Sequence, residues 1–390
     1  MKAIRKRSLM TLLATSVLTA VLYVAPSGQT QTSRPQTPPP TVSQTPPRTG
    51  GTGQSAQGQP GQQAQPGQAM QRQVNFEAQL KAQADTDATW RAASEGVMQM
   101  DKITYKSRAG GLDIPAFVFQ PLKPRGPKGH PVLVWVHPDI RGHVYEYYIP
   151  YVREAVSRGY IVIAPEYRGS IGYGKEFYDA IDYGGLEVDD VISAADYIKS
   201  SVPAADPARI GIIGWSHGGM ITLLAIEREP TLFKAAVAMV PVTNLFQRLA
   251  WNGVEQRLQG IDPQGRYGGL PYQKHDEFKR RSPIYQIDNV QIPLLVHVTR
   301  NDRDVVIEEC MQLIDALRAR KPGLAETRVY ENPRGGHLFD RQTDPNDRKL
   351  YTPINTREQV DSWNRVWTFL DWNCDPSKDA VAALKNSGGQ

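Results

Sequence analysis

A serine stands in the run Gly214-Trp215-Ser216-His217-Gly218, between a short β-branched stretch, Ile210 to Ile213, and an apolar helix-like stretch opening at Met220 to Leu224. A strand and a helix joined over Gly214 to Gly219 must turn sharply, and such an elbow exposes the serine hydroxyl while small residues two before and two after it let the backbones approach. A serine hydroxyl is a poor nucleophile without a base, so a histidine and an acid are needed at the ends of later strands. Both follow in order. After the run Pro293 to Val298 comes Thr299-Arg300-Asn301-Asp302-Arg303-Asp304-Val305, and after Thr327 to Tyr330 comes Pro333-Arg334-Gly335-Gly336-His337-Leu338-Phe339. Of the seven histidines, His337 is the candidate base, with glycines giving a flexible approach and Leu338 and Phe339 anchoring the far side. Asp302 and Asp304 compete as the acid, and the one not used would cap the helix starting near Ile307. The His217 N–H, at a helix N-terminus, would face a developing oxyanion with the helix dipole behind it. These are the parts of acyl transfer through a Ser-Asp-His triad.

The elements that must position these residues alternate along the chain. A hairpin, Ile103 to Ser107 and Ile114 to Phe119, turns over Ala109-Gly110-Gly111. Buried-strand runs then stand at Val132 to Val136, Tyr160 to Ala164, Ile210 to Ile213, Ala235 to Val240, Pro293 to Val298 and Thr327 to Tyr330. Helix-length segments lie between most of them, including Val188 to Ser200, Gly219 to Arg228, Ile307 to Ala319 and, at the end, Gln359 to Leu370. Alternation of this kind implies an α/β fold: a mostly parallel sheet with helices on both faces and the site at the carboxyl ends of the strands. The order Ser, Asp, His is that of the α/β-hydrolase fold. Residues 241 to 290 form a small cap insertion whose Phe246, Leu249, Trp251, Tyr267 and Tyr272 either line an acyl pocket or make the cap's own core.

The 390 residues carry a formal charge of +5, but Lys2, Arg5, Lys6, Arg7, Arg34, Arg48 and Arg72 all precede residue 73, which leaves −2 on the remainder. A nucleic-acid partner is not indicated. Residues 1–27, a basic start followed by an apolar run shorter than the ~20 residues that span a bilayer, read as a signal peptide, with an uncleaved anchor helix as the alternative. Residues 28–75, rich in Pro, Gly, Gln, Thr and Ser, read as a disordered linker with too few apolar side chains to fold, tethering the enzyme to the cell envelope. A weakly amphipathic helix, Phe76 to Met98, leads into a hydrolase domain placed at 76–375, and 376–390 is a flexible tail. Cys310 and Cys374 are expected to stay unpaired at opposite edges of the sheet. His137 and His143 lack the clustered partners that zinc requires, so neither metal nor cofactor is implied.

From about Leu133 to Leu370 the chain resembles the catalytic domain of the prolyl oligopeptidase family. The resemblance rests on Gly214 to Gly219, on the loop Tyr167-Arg168-Gly169-Ser170-Ile171-Gly172-Tyr173-Gly174, on Glu187 with Asp189-Asp190, on Arg281-Ser282-Pro283, on Pro293 to His297 and on Gly336-His337. It implies a serine peptidase with Asp302 as the acid, because the family places that residue three before a valine, here Val305. The sequence departs from the pattern in three places. The family's peptidases carry a β-propeller ahead of the hydrolase domain, for which these residues leave no room. At the oxyanion loop, His137-Pro138-Asp139 stands where relatives place a histidine and paired glycines, so the second donor is either the Asp139 N–H, with its carboxylate turned away, or the His137 side chain. Val298 replaces a common glycine, with one extra residue before Asp302, which keeps Asp304 in contention.

The expected protein is thus an exported serine hydrolase, periplasmic or extracellular, most readily a peptidase acting on short peptides. A carboxylesterase using the same triad is the first alternative, and a catalytically inactive envelope binding protein is an alternative of another class. Sequencing the mature protein should find its first residue near Ser27 or Gly28. A chain still beginning at Met1 would favour the uncleaved anchor.

Overall fold

In the structure, a computed structural model that describes residues 74–126, 128–251, 253–347 and 351–374, the apolar runs become one eight-stranded sheet. The expected signal peptide, the linker up to residue 73 and the tail lie outside the described residues. The strands are β1 (Met98–Lys106), β2 (Asp113–Pro121), β3 (His130–Val136), β4 (Ile161–Pro165), β5 (Ala205–Trp215), β6 (Ala235–Met239), β7 (Leu294–Thr299) and β8 (Ala325–Tyr330), in the spatial order β1-β2-β4-β3-β5-β6-β7-β8. The β1–β2 and β2–β4 pairs are antiparallel and all others parallel. This is the α/β-hydrolase arrangement.

The helices are α1 (Phe76–Ser94), α2 (Ile149–Ser157), the short α3 (Lys175–Asp179), α4 (Leu186–Ser201), α5 (His217–Arg228), α6 (Leu245–Trp251), α7 (Val254–Ile261), α8 (His275–Arg280), α9 (Ile307–Arg320) and α10 (Arg357–Cys374). Helix α1 stops at Ser94 rather than running on to Met98. The chain turns at Gly96 (φ +68°), and Met98 begins β1, registered against Pro121 at the far end of β2.

Because side chains alternate across a strand, each central strand feeds two cores. Val132, Val134, Ile212, Ala236 and Val296 pack on one face beneath α4, α5 and α9. Leu133, Trp135, Ile213, Val237 and Leu295 pack on the other beneath α1, α2 and α10. The two cysteines are free, as expected, but for a different reason: Cys310 belongs to the first core and Cys374 to the second, so the sheet itself stands between them.

Helix α1 docks against the sheet and its loops. Trp90 is fully buried against Phe119, 4.8 Å between ring centroids, and its Nε1–H donates to the Val144 carbonyl (3.0 Å). Thr86 donates to Glu146 (2.6 Å), so α1 holds two points of the segment that follows β3. In the cap, Leu249 and Tyr267 are core residues, with Tyr267 packed edge-on against Phe278. Tyr272 is 78% exposed, and the side chain of Trp251 lies outside the described structure.

The loop between β4 and α3 is pinned by a buried ion pair. Arg168 Nε and Nη2 donate to Asp190 Oδ2 and Oδ1 (2.8 and 2.7 Å), and the Arg168 N–H reaches Asp190 Oδ2 as well (2.9 Å). Removing one partner of such a pair leaves an uncompensated buried charge. Arg168→Met should therefore lower the unfolding free energy by about 3–5 kcal/mol, read from urea denaturation. A loss under about 1 kcal/mol would be that of a surface pair and would refute the assignment.

Candidate active site

Ser216 sits at the carboxyl end of β5 with φ +53° and ψ −116°, a backbone that L-residues rarely adopt. Its N–H donates to the Met239 carbonyl (2.9 Å), and its own carbonyl receives the Met220 N–H (3.0 Å) as α5 begins. The flanking glycines make the turn feasible. A Cβ on Gly214 would strike the Gly218 carbonyl, and one on Gly218 would lie 2.5 Å from the Val136 carbonyl oxygen of β3. Helix α5 starts at His217, whose N–H is among the first-turn groups that no helical carbonyl can accept.

The other two residues come from the ends of β7 and β8. His337 lies in a short 3-10 helix (Gly336–Arg341), where Gly335 (φ +95°) and Gly336 (φ +51°) turn the chain. Its Nδ1–H donates to Asp302 Oδ2 (2.7 Å), which leaves Nε2 for a substrate-side partner. Asp302 Oδ1 accepts the N–H groups of Asp304 and Val305, both at 2.8 Å, so the carboxylate is oriented from behind. Ser216, Asp302 and His337 are 7%, 8% and 9% exposed. Of the two candidate acids it is Asp302 that reaches His337. Asp304 is exposed and does not cap α9, whose N-cap is Val306 without a side-chain cap bond. The side-chain ligand atoms of Asp302, Asp304 and His337 lie within 4.8 Å of one another.

In the loop after β3, expected from the sequence to supply an oxyanion donor, the His137 side chain is not available as a donor. The ring is fully buried, its Nδ1 is bonded to the Pro138 carbonyl (2.7 Å) and its Nε2 to the Ser170 hydroxyl (2.9 Å). His137 therefore braces the loop, stacked at 4.1 Å on Tyr167. Asp139 is exposed with φ +68°, and its carboxylate accepts from the Tyr145 hydroxyl (2.7 Å), which directs the charge toward that ring. The Tyr167 hydroxyl reaches the carbonyls of Asp139 (2.7 Å) and His137 (3.2 Å).

Several supporting groups were not marked as site residues by the sequence. Tyr167 enters there only as the start of the loop that carries the family resemblance, and Asp340 not at all. Asp340 is fully buried, its Oδ2 accepting from Trp215 Nε1 (2.5 Å) and its carbonyl from Trp363 Nε1 (2.6 Å), so it ties the residue before Ser216 to the histidine segment. Glu166 is a third, accepting the Val144 N–H (3.1 Å) on one oxygen and lying 3.6 Å from His137 Nε2 with the other. Despite that distance the two are not an ion pair. Burial pushes the Glu166 carboxyl up to about 8 and the His137 imidazole down to about 3, so both are neutral near pH 7. Glu187, likewise raised to about 8 by burial, lies 3.5 Å from His217, whose ring burial also keeps neutral.

A model of the prolyl oligopeptidase family matches residues 148–352. Among curated proteins, the chain is 30% identical over 275 residues to the "Uncharacterized peptidase YuxL" of Bacillus subtilis, covering 67% of this chain and 38% of that protein. It is 31% identical over 194 residues to the acylamino-acid-releasing enzyme of Arabidopsis thaliana, covering 48% of this chain and 25% of that one. Among solved structures, a puromycin-hydrolyzing peptidase of Mycobacterium tuberculosis superposes with a TM-score of 0.58 at 26% identity, over 71% of this chain and 39% of that one. The chain thus spans less than two-fifths of the length of these relatives. Among the described residues, no helix is long and apolar enough to cross a membrane.

The neutral state of Glu166 has a consequence for stability. The carboxyl titrates near its ordinary 4.5 when unfolded and at about 8 when folded, so between those values unfolding releases a proton and stability falls as pH rises. Glu166→Gln keeps the acceptor for Val144 and removes the titration. Its Tm relative to the native chain should therefore rise between about pH 5 and about pH 8. A difference that is flat or falls over that range would show that Glu166 is ionised in the folded protein.

Proposed function

Because the chain belongs to the prolyl oligopeptidase family, we propose that it is a serine peptidase in which Ser216, His337 and Asp302 form the triad and short peptides are the substrates. The observation that carries the reading is the Asp302–His337 hydrogen bond at 2.7 Å, set at the ends of β7 and β8 beside the strained elbow of β5. His337 Nε2 takes the Ser216 proton as Oγ attacks the substrate carbonyl, then gives it to the departing amine; water hydrolyses the acyl-enzyme by the same relay in reverse. Asp302 keeps Nδ1 protonated and stabilises the imidazolium. The N–H of His217, with the α5 dipole behind it, and the N–H of Asp139 serve as oxyanion donors. The basic start and apolar run of residues 1–27 support export.

A fluorophosphonate probe should label Ser216 and no other residue. Ser216→Ala should abolish labelling, and Asp302→Asn, which spoils the imidazole tautomer, should lower kcat by about 10^4-fold. Faster cleavage of acylaminoacyl or aminoacyl anilides over the background rate supports the peptidase. Cleavage confined to p-nitrophenyl esters would overturn it in favour of an esterase, and absence of labelling would overturn the hydrolase reading altogether.

A further inference from the structure

Proton transfer between a base and a nucleophile tolerates little error in spacing: a misplacement of about 1 Å can cost about 100-fold in rate. His337 and Ser216 come from the ends of different strands, β8 and β5. The chain reaches His337 through Gly335 and Gly336, both at positive φ and with the least restricted of backbones. Asp302 aligns the imidazole from the end of β7, two strands away from β5 in the sheet. Holding the ring at the right distance from Ser216 therefore requires a tie between the histidine segment and the end of β5.

Asp340 supplies that tie. It follows His337 by three residues in the same 3-10 helix, where side chains three apart share a face. Its Oδ2 accepts the Trp215 Nε1–H at 2.5 Å across 125 positions of sequence, and Trp215 is the residue before Ser216. An indole has one donor, so the bond has one direction, and the carboxylate charge strengthens it. Both residues are fully buried and held at their far sides. The Trp215 ring packs 4.8 Å from Trp135 and 4.6 Å from Tyr148, while the Asp340 carbonyl accepts from Trp363 Nε1 (2.6 Å) and from the Tyr151 hydroxyl (3.1 Å). The other carboxylate oxygen, Oδ1, accepts from Arg341 Nη1 (2.9 Å). That pair joins neighbours in sequence and bridges no two elements. The two oxygens thus do different things: Oδ1 offsets a buried charge, and Oδ2 spans from the histidine segment to the elbow.

We propose that the Asp340–Trp215 hydrogen bond sets the distance between His337 and Ser216, which makes Asp340 a positioning residue for proton transfer. This rests on Ser216 and His337 acting as nucleophile and base. Asp340 touches none of the reacting atoms. It acts through the 3-10 helix that carries the base and through the residue that precedes the nucleophile. Without the bond that helix is free to settle away from β5, and the loss falls on the rate of the chemical step rather than on binding.

A fluorophosphonate on the full chain reads this step, because His337 must take the Ser216 proton as Oγ bonds to phosphorus and fluoride leaves. The final extent of labelling counts folded sites, and the rate at saturating probe reports the proton transfer. Trp215→Phe keeps a ring in the aromatic cluster and removes the donor. Its maximal labelling rate should fall at least about tenfold, while the half-saturating probe concentration stays within about twofold of native and labelling still runs to completion. Arg341→Met breaks the buried ion pair and spares the indole bond. It should lower Tm more than Trp215→Phe does and yet label within about threefold of the native rate. A Trp215→Phe rate within about threefold of native would overturn the proposal, and so would rates that fall in step with Tm in the two variants. If Arg341→Met does not fold, Trp215→Phe alone decides. Failure of the probe to label the native chain would overturn the hydrolase reading and this role with it.

Discussion

The conformation of Ser216 is the constraint on which the site depends. A serine at φ +53° costs on the order of 1–3 kcal/mol relative to a relaxed backbone, and it persists only where the surroundings leave no alternative. Here they do not. The close approach of α5 to the ends of β3 and β5, possible only without side chains at Gly214 and Gly218, holds the residue from one side, and Met239 at the end of β6 takes its N–H from the other. Asp139 and Val240, at the ends of β3 and β6, also adopt positive φ. The strained residues thus cluster at the carboxyl ends of neighbouring strands, where the parallel sheet brings helix N-termini and loops together.

Around that point the fold arranges charge sparingly. Two buried carboxyls, Glu166 and Glu187, stand next to two buried imidazoles, His137 and His217, and burial keeps all four neutral. Ionised pairs are buried as well: Arg168–Asp190 and Arg281–Asp182 tie loops to the start of α4 and to the cap, and Arg341–Asp340 lies behind Trp215. Close to Ser216 this leaves Asp302 as the anion facing His337.

How much of this the sequence discloses depends on the distance over which each feature is decided. The parallel strands were legible because strands covered on both faces are apolar runs, as in Val132 to Val136 and Ile210 to Ile213. The elbow, His337 and the pair Asp302/Asp304 were legible because strand-end chemistry is local. Choosing between the aspartates needed geometry, and so did His137, whose ring is turned by Ser170 and stacked on Tyr167, some thirty positions away. Asp340 gave no sign, since its partners Trp215 and Trp363 come from different elements. Helix α1 was read too long because β1, an edge strand with polar residues along it, offers no apolar run to announce where the helix stops.

The docking of α1 also bears on the order in which the protein can assemble. Its indole is bonded to a carbonyl 54 positions later, and Thr86 to a carboxylate 60 positions later, both on the segment that carries the chain away from the loop after β3. During synthesis α1 emerges well before either partner exists, and the partners are not in place until β3 is paired with strands made later still. Contacts of such separation form late because the loop must close before it is rewarded. The first helix among the described residues to be made is therefore seated only after the segment that leads away from β3 has been made, so its place in the fold waits on chain that does not yet exist when it emerges.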